Sequence, residues 1–279
     1  MAATLTRSAR RRLWLRAGLL AAACVLAWRW HHDLAIALRP TSVTTGLALL
    51  GLCVALGLFN ARKKLPFLPL LRAAIWTQVH VYAGWFAVFL FLLHTGFRAP
   101  TGAFETLLYT VFALVALSGV FGLWLSRTLP SRLTMHGENV IYERIPALRA
   151  KLQREAEALV LRSVEETRSS TIADFYTARL KGYFDRPRDS LHHLLRSGSP
   201  LKSVLSEVRL LERYTNERER AILTELTACL RAKENLDFQR AGQGLLKYWL
   251  FVHIPITASL LLLGALHGLL VLYYIGGPR

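Results

Sequence analysis

Acidic residues are almost missing from more than half of this chain of 279 residues. Outside residues 128–245, only Asp33 and Glu105 carry a carboxylate, against 15 lysines and arginines. Charged residues make up 19% of the whole chain and hydrophobic residues 53%, whereas a soluble domain is about a quarter charged. The deficit excludes a disordered chain and a simple soluble enzyme. It indicates an apolar body with an ordinary charged segment inserted at 128–245.

Cysteine is scarce as well. Cys24, Cys53 and Cys229 lie far apart, and neither CxxC nor CxxCH occurs. This excludes a disulfide scaffold and argues against structural zinc, iron–sulfur clusters and covalently attached c-type haem. A GxGxxG motif after a strand and a Walker loop are also missing, so no nucleotide site is indicated.

The net charge of +17 does not predict a nucleic-acid partner. The cations stand beside hydrophobic runs rather than along one soluble face, and such placement is typical of the cytoplasmic flanks of membrane spans. The partner that this pattern favours is membrane lipid, with no nucleic acid.

Long apolar runs are what the chain has in abundance, and a bilayer core takes about 20 apolar residues as a helix. We therefore predict an all-α polytopic membrane bundle of about five spans, with spans 1–4 in residues 1–127, a cytoplasmic helical insert in 128–245, and span 5 with the C-terminus in 246–279. The five runs are Leu13–Trp30, Ser42–Phe59, Ile75–Phe97, Leu107–Leu125 and Leu245–Ile275.

The insert reads as a helical hairpin or small bundle. Arg144–Ser169 and Leu201–Leu236 both carry apolar residues near helical spacing. Glycines and prolines between them predict a loop region. Gly242 and Gly244 predict a flexible join to span 5.

Lysine and arginine distribution predicts the orientation. Basic residues cluster before span 1, between spans 2 and 3, and after span 4, so the N-terminus and the insert are expected in the cytoplasm of a bacterial-type inner membrane. The first run also permits another interpretation, a signal peptide with Cys24 as a lipidated residue, although Ala21 is a poor match to that motif.

Histidines carry the functional argument. His80 and His94 lie on span 3, His253 and His267 lie on span 5, and both spacings are 14 residues. Fourteen residues turn a helix to within about 40° of the starting direction and advance it about 21 Å. Because spans 3 and 5 run in the same direction, we expect two facing imidazole pairs, His80 with His253 and His94 with His267. Facing imidazoles in an apolar bundle suit the axial positions of haem iron, so these residues are the predicted metal ligands.

The sequence resembles di-haem b-type cytochromes of the cytochrome b and b561-like superfamily. The resemblance covers about 95 membrane residues and rests on HVYAGWFAVFLFLLHTGF, LSGVFGLWLSRTLP and KYWLFVHIPITASLLLLGALHG. It implies a helical bundle with two bis-histidine haem b groups. Spans 1 and 2 and the insert depart from the family cores.

Neighbouring residues can be placed by depth. Small residues near the histidines admit a flat ring or serve helix packing, and nearby cations meet haem propionates or anchor headgroups. These further cofactor-binding candidates are Gly84, Arg98, Ser118, Gly119, Gly122 and Lys247. The other histidines are weaker candidates, favouring solvated positions: His31, His32, His136, His192 and His193.

Together these features predict a transmembrane electron-transfer subunit, with no catalytic residue assigned. It fits the cytochrome b subunit of an oxidoreductase complex that exchanges electrons with a quinone pool, a cytoplasmic-side donor or a partner such as a c-type cytochrome. The alternative is a membrane scaffold or proton-relay protein whose insert docks a partner.

Overall fold

A computed structural model of the chain describes residues 7–60, 73–134, 140–185 and 199–276. These residues form helices and connecting turns with no β-strand, which confirms the all-α prediction for the described part of the chain. They fall into two compact units, one drawn from Met1–Leu123 and Phe251–Arg279 and the other from Trp124–Leu250.

Five helices correspond to the five predicted spans. Four of them are long and apolar enough to cross a membrane, so the protein is membrane-embedded. The second is equally apolar but has only 17 residues. In chain order these helices are α1 (Arg7–Ile36), α2 (Thr41–Gly57), α3 (Ala73–Thr95), α4 (Ala103–Thr134) and α9 (Glu217–Gly276).

Short turns reverse the chain between the membrane helices. Leu38 has φ 54° between α1 and α2, and Pro40 immediately precedes α2. Gly96 and Phe97 have φ 59° and 58° between α3 and α4. The left-handed conformation ends a helix, and glycine adopts it without steric cost. These turns make α1 and α2, and α3 and α4, neighbours in the first unit.

The first unit has a core to which α1, α2, α3, α4 and the C-terminal part of α9 all contribute. Phe91 of α3 stacks on Phe112 of α4, with ring centroids 4.0 Å apart and planes 9° apart. The buried side chains of this core are Ala27, Leu49, Ala87, Leu90, Phe91, Leu93, Phe112 and Leu260.

The insert has its own helices and its own core. The helix α5 (Ile145–Thr167) is followed by two single-turn helices, α6 (Thr171–Phe175) and α7 (Lys181–Asp185), with a π-helical stretch at Tyr176–Leu180 between them. The helix α8 (Ser199–Leu211) and the first half of α9 complete the unit. The fully buried side chains of its core include Ile172, Leu180, Leu223, Leu226 and Leu230.

The predicted helix Leu201–Leu236 is broken in the structure. Asn216 and Glu219 form a capping box: the Glu219 amide donates to Asn216 Oδ1 and the Asn216 amide donates to Glu219 Oε2, both at 2.9 Å. This pair satisfies amides that the first turn of a helix leaves without partners, and it sets the start of α9.

The predicted flexible join at Gly242 and Gly244 is wrong. Both glycines are buried within α9, which continues without interruption from the insert to Gly276. A helical glycine costs only about 1 kcal/mol. Packing offsets this cost, since Gln243 donates to the Val140 carbonyl at 2.8 Å and the Gly244 backbone lies against Tyr142.

Candidate functional site

The four membrane histidines are alike in burial. His80 and His94 on α3, and His253 and His267 on α9, are all partly buried. Beside three of them a chain neighbour faces outward: Val79, Val252 and Leu266 are 53%, 53% and 46% exposed. At His94 the preceding residue, Leu93, is instead buried in the core of the first unit. Ionisable residues that face the interior of a membrane bundle are usually functional.

His94 and His267 face each other. Their ring centroids are 6.3 Å apart, and the ring planes are inclined at 79°. The structure thus brings together His94 and His267, the pair that the 14-residue spacings predict.

A backbone hydrogen bond fixes the tautomer of His94. Its Nδ1 lies 2.9 Å from the carbonyl oxygen of Ser42 in the first turn of α2. A carbonyl oxygen only accepts, so Nδ1 carries the proton and donates it. The lone pair of a neutral ring is then on Nε2, the usual state of a metal-ligating histidine whose other nitrogen is anchored.

The imidazole of His94 lies directly on Gly46 of α2. A Cβ atom built at Gly46 would stand 2.7 Å from His94 Cε1 and 3.1 Å from His94 Nδ1. No real side chain fits at these distances, so glycine is required for the ring to occupy this position.

A cavity of about 570 Å³ opens beside this pair. Its volume lies within the range of roughly 300–1,000 Å³ that small-molecule sites occupy. His94 and His267 both line it, together with Gly264 and Gly268 of α9, and Arg98 in the turn after α3 lines the same cavity. The structure thus brings the predicted cation to the predicted histidine pair.

The surroundings of His80 and His253 are different. The Phe59 ring packs on His80 with centroids 4.6 Å apart, and Trp76 Nε1 donates to the Phe59 carbonyl at 3.2 Å. His253 Nδ1 lies 3.1 Å from Ser118 Oγ of α4. A hydroxyl both donates and accepts, so this contact permits either tautomer of His253.

The remaining predicted residues divide by position. A Cβ at Gly119 would lie 4.0 Å from His253 Cε1, so that glycine lies beside the His253 ring. Gly84 has open space where its Cβ would be, and Gly122 is buried in α4. Lys247 belongs to the second unit, where its ammonium donates to Glu143 at 2.6 Å and lies 4.0 Å from the centroid of the Tyr142 ring.

The other histidines do not join the two pairs in the described residues. His31 is partly buried near the end of α1 and His32 beside it is exposed. His136, His192 and His193 lie outside the described residues.

Sequence reasoning missed the contribution of α2. Ser42 and Gly46 contact His94, and Cys53 lines the cavity, yet none was a candidate. Phe59 and Phe104 were also missed, the latter with its ring centroid 6.1 Å from that of His267. The available signal was the run of small and hydroxyl residues at 41–46, because small residues in membrane helices mark close approach of a neighbour.

No group of three or more His, Cys, Asp or Glu side chains within the described residues is arranged to hold a metal ion. The imidazoles that the structure brings face to face are those of His94 and His267. Comparisons with protein-family models, with curated proteins and with solved structures find no match.

Proposed function

We propose that the chain is a transmembrane electron-transfer subunit that holds two b-type haems, one between His94 and His267 and one between His80 and His253. The observation that carries the proposal is the facing pair His94–His267, with ring centroids 6.3 Å apart beside a 570 Å³ cavity. Haem iron takes two axial protein ligands and, when bound, takes up and releases single electrons.

The donor set around His94 and His267 fits a haem. Two neutral imidazoles satisfy iron in both redox states without burying a net charge in the bilayer. Gly264 and Gly268 of α9 line the cavity and let Leu50 of α2 approach closely. Arg98 supplies the planar guanidinium that pairs well with carboxylates such as haem propionates.

The donor set at the second pair supports the same proposal through different contacts. The hydroxyl of Ser118 contacts the Nδ1 edge of His253, and Gly119 leaves room beside the ring. A histidine ligand is usually held at its other nitrogen in this way. The two pairs are 14 residues apart on both helices, about 21 Å along the axis, so they form two successive positions across the bilayer.

We also propose the orientation and the partners. The N-terminus and the insert face the cytoplasm of a bacterial-type inner membrane, because basic residues flank those ends of the spans. Electrons enter from a quinol or a cytoplasmic-side donor and leave to a redox protein such as a c-type cytochrome, or travel in the reverse direction. The chain thus serves as the cytochrome b subunit of an oxidoreductase complex.

Colour tests the proposal directly. The purified full-length protein is expected to be red, to give a b-type reduced-minus-oxidised spectrum and to contain two haems per chain. A colourless preparation from cells supplied with iron and a haem precursor contradicts the proposal and favours the scaffold or proton-relay alternative.

Topology is tested separately. A reporter fused at Arg279 is expected to face outward, and protease added to the outside of intact cells is expected to leave residues 128–245 uncut. Outward exposure of the insert contradicts the orientation and leaves the haem proposal standing.

The insert is proposed as the docking site for the partner. It has a separate core and no group of metal-binding side chains among its described residues, so it supplies a surface rather than a redox centre. Replacing Leu133–Gln239 with a Gly/Ser linker is expected to keep both haems while electron transfer to the partner falls. Unchanged transfer in intact membranes contradicts the docking role.

A further inference from the structure

The contact between α2 and His94 combines two features of one helical turn. The Ser42 carbonyl accepts a hydrogen bond from His94 Nδ1, and Gly46, four residues later, lies against the imidazole. In an α-helix the residue at position i+4 lies beside the carbonyl of residue i. A side chain at position 46 would therefore cover the oxygen that His94 uses.

The stretch of α3 that carries the imidazole is anchored in the core. Leu90, Phe91 and Leu93, on the same stretch of α3, are buried in the core of the first unit. The Thr45 hydroxyl on this turn donates to the Thr41 carbonyl at 2.7 Å and lies 3.3 Å from the Ser42 carbonyl. Thr45 is itself fully buried, which holds this turn of α2 against its neighbours.

We propose that Gly46 is a positioning residue for His94. Because Gly46 lacks a side chain, the Ser42 carbonyl is exposed and fixes the imidazole as the Nδ1–H tautomer. The Nε2 lone pair is then left to bind the haem iron. The effect on haem rests on the proposed function, whereas the tautomer is a property of the chain itself. The short helix α2 thereby becomes part of the redox site.

The hydrogen bond has a defined electronic consequence. A carbonyl that accepts the Nδ1 proton raises the basicity of Nε2, and a more basic ligand stabilises the oxidised form of the metal. Losing the bond therefore makes the midpoint potential of that haem more positive. Losing such a partner also weakens metal binding by roughly 10–100-fold in other histidine sites.

Gly46→Ala tests the inference, and Gly51→Ala on the same helix is the matched control, because a Cβ at Gly51 has nothing within 4 Å. Gly46→Ala in the full-length protein is expected to move one of the two midpoint potentials to a more positive value and to weaken retention of that haem. Gly51→Ala is expected to leave both haems unchanged. Ser42→Ala, which keeps the backbone carbonyl, is expected to behave as the control does.

The tautomer of His94 supplies a second readout, which is taken from the unsubstituted protein and does not need Gly46→Ala to fold. Ring ¹⁵N shifts of His94 in the unsubstituted, reduced protein, assigned by their loss in His94→Ala, are expected to show a protonated Nδ1. A protonated Nε2 with a bare Nδ1 overturns the inference.

The two failures are distinguishable. Two haems per chain together with equal potentials in Gly46→Ala and Gly51→Ala overturn the role of Gly46 and leave the proposed function intact. A protein without haem overturns the proposed function, while the ring ¹⁵N shifts still decide the tautomer.

Discussion

The two histidine pairs arise from the same spacing but have different surroundings. His94 is anchored by a backbone carbonyl and faces His267 beside a cavity that Arg98 lines. His80 instead packs against the aromatic ring of Phe59, and His253 contacts a side-chain hydroxyl. A backbone carbonyl and a cation thus lie near His94 and His267, whereas an aromatic ring and a hydroxyl contact His80 and His253.

If both pairs hold haem as proposed, this difference predicts two unequal redox sites. Potentials of histidine-ligated centres depend on hydrogen bonding at the outer nitrogen, on nearby charge and on burial. A carbonyl accepts from Nδ1 in one direction only, whereas a hydroxyl is able to accept or donate. We therefore expect the two haems to have separable midpoint potentials, and single substitutions to move one at a time.

The largest expected effect is loss of one haem by removal of a ligand. His94→Ala and His267→Ala are each expected to leave one haem per chain, with the same potential remaining in both variants. His80→Ala and His253→Ala are each expected to retain the other haem instead. Haem quantification and redox titration of the four proteins check this.

His32→Ala is the control for these four variants, because His32 is exposed on α1 and belongs to neither pair. It is expected to keep two haems. If His80→Ala and His267→Ala removed the same centre, the pairing of α3 with α9 would be wrong.

An intermediate effect is expected at Ser118. Ser118→Ala removes the hydroxyl 3.1 Å from His253 Nδ1, so the potential of the His80–His253 haem is expected to shift and its retention to weaken by roughly 10–100-fold. Ser118→Thr keeps a hydroxyl and is expected to resemble the unsubstituted protein. A shift of the His94–His267 haem in Ser118→Ala would contradict the separation of the two sites.

The fold was largely predictable from sequence, because the membrane imposes long apolar helices that composition alone reveals. The helices α3 and α4 begin and end within a few residues of the predictions or extend beyond them. The errors lie in the insert, where packing decides. The glycines at 242 and 244 predicted a flexible join, although their surroundings hold them in a helix. At Asn216 a local capping interaction interrupts an otherwise continuous apolar pattern.

The candidate site was predictable only in part. The 14-residue spacing pointed to His94 and His267, which the structure brings face to face, because helical period is a property of the sequence. The small residues at 41–46 indicated that a neighbouring helix approaches, but not that the Ser42 carbonyl bonds His94, since a backbone carbonyl has no sequence signature. Their contact with His94 depends on how α2 packs on α3, which is a tertiary property.

The smallest effect on the midpoint potentials is expected from substituting the two candidate cations, Arg98 and Lys247. Arg98 lines the cavity beside His94 and His267, so Arg98→Met removes a positive charge that favours the reduced haem. Reduction of that haem is expected to become less favourable by roughly 1–2 kcal/mol, the interaction of unit charges about 10 Å apart at an effective dielectric constant of about 20. Its midpoint potential is therefore expected to fall.

Lys247→Met is the paired measurement, because position in the sequence predicts Lys247 or Arg72 as the cation that meets the propionates of the His80–His253 haem. Its ammonium is already bonded to the Glu143 carboxylate and holds the pKa of that carboxyl below its ordinary value. Much of its charge is therefore neutralised, and the potential of the His80–His253 haem is expected to fall by less than Arg98→Met lowers its own. In Glu143→Gln the ammonium loses this counter-charge, so the same potential is expected to rise. Redox titration of the three variants decides the point, and equal shifts from Arg98→Met and Lys247→Met would show that the carboxylate does not screen Lys247.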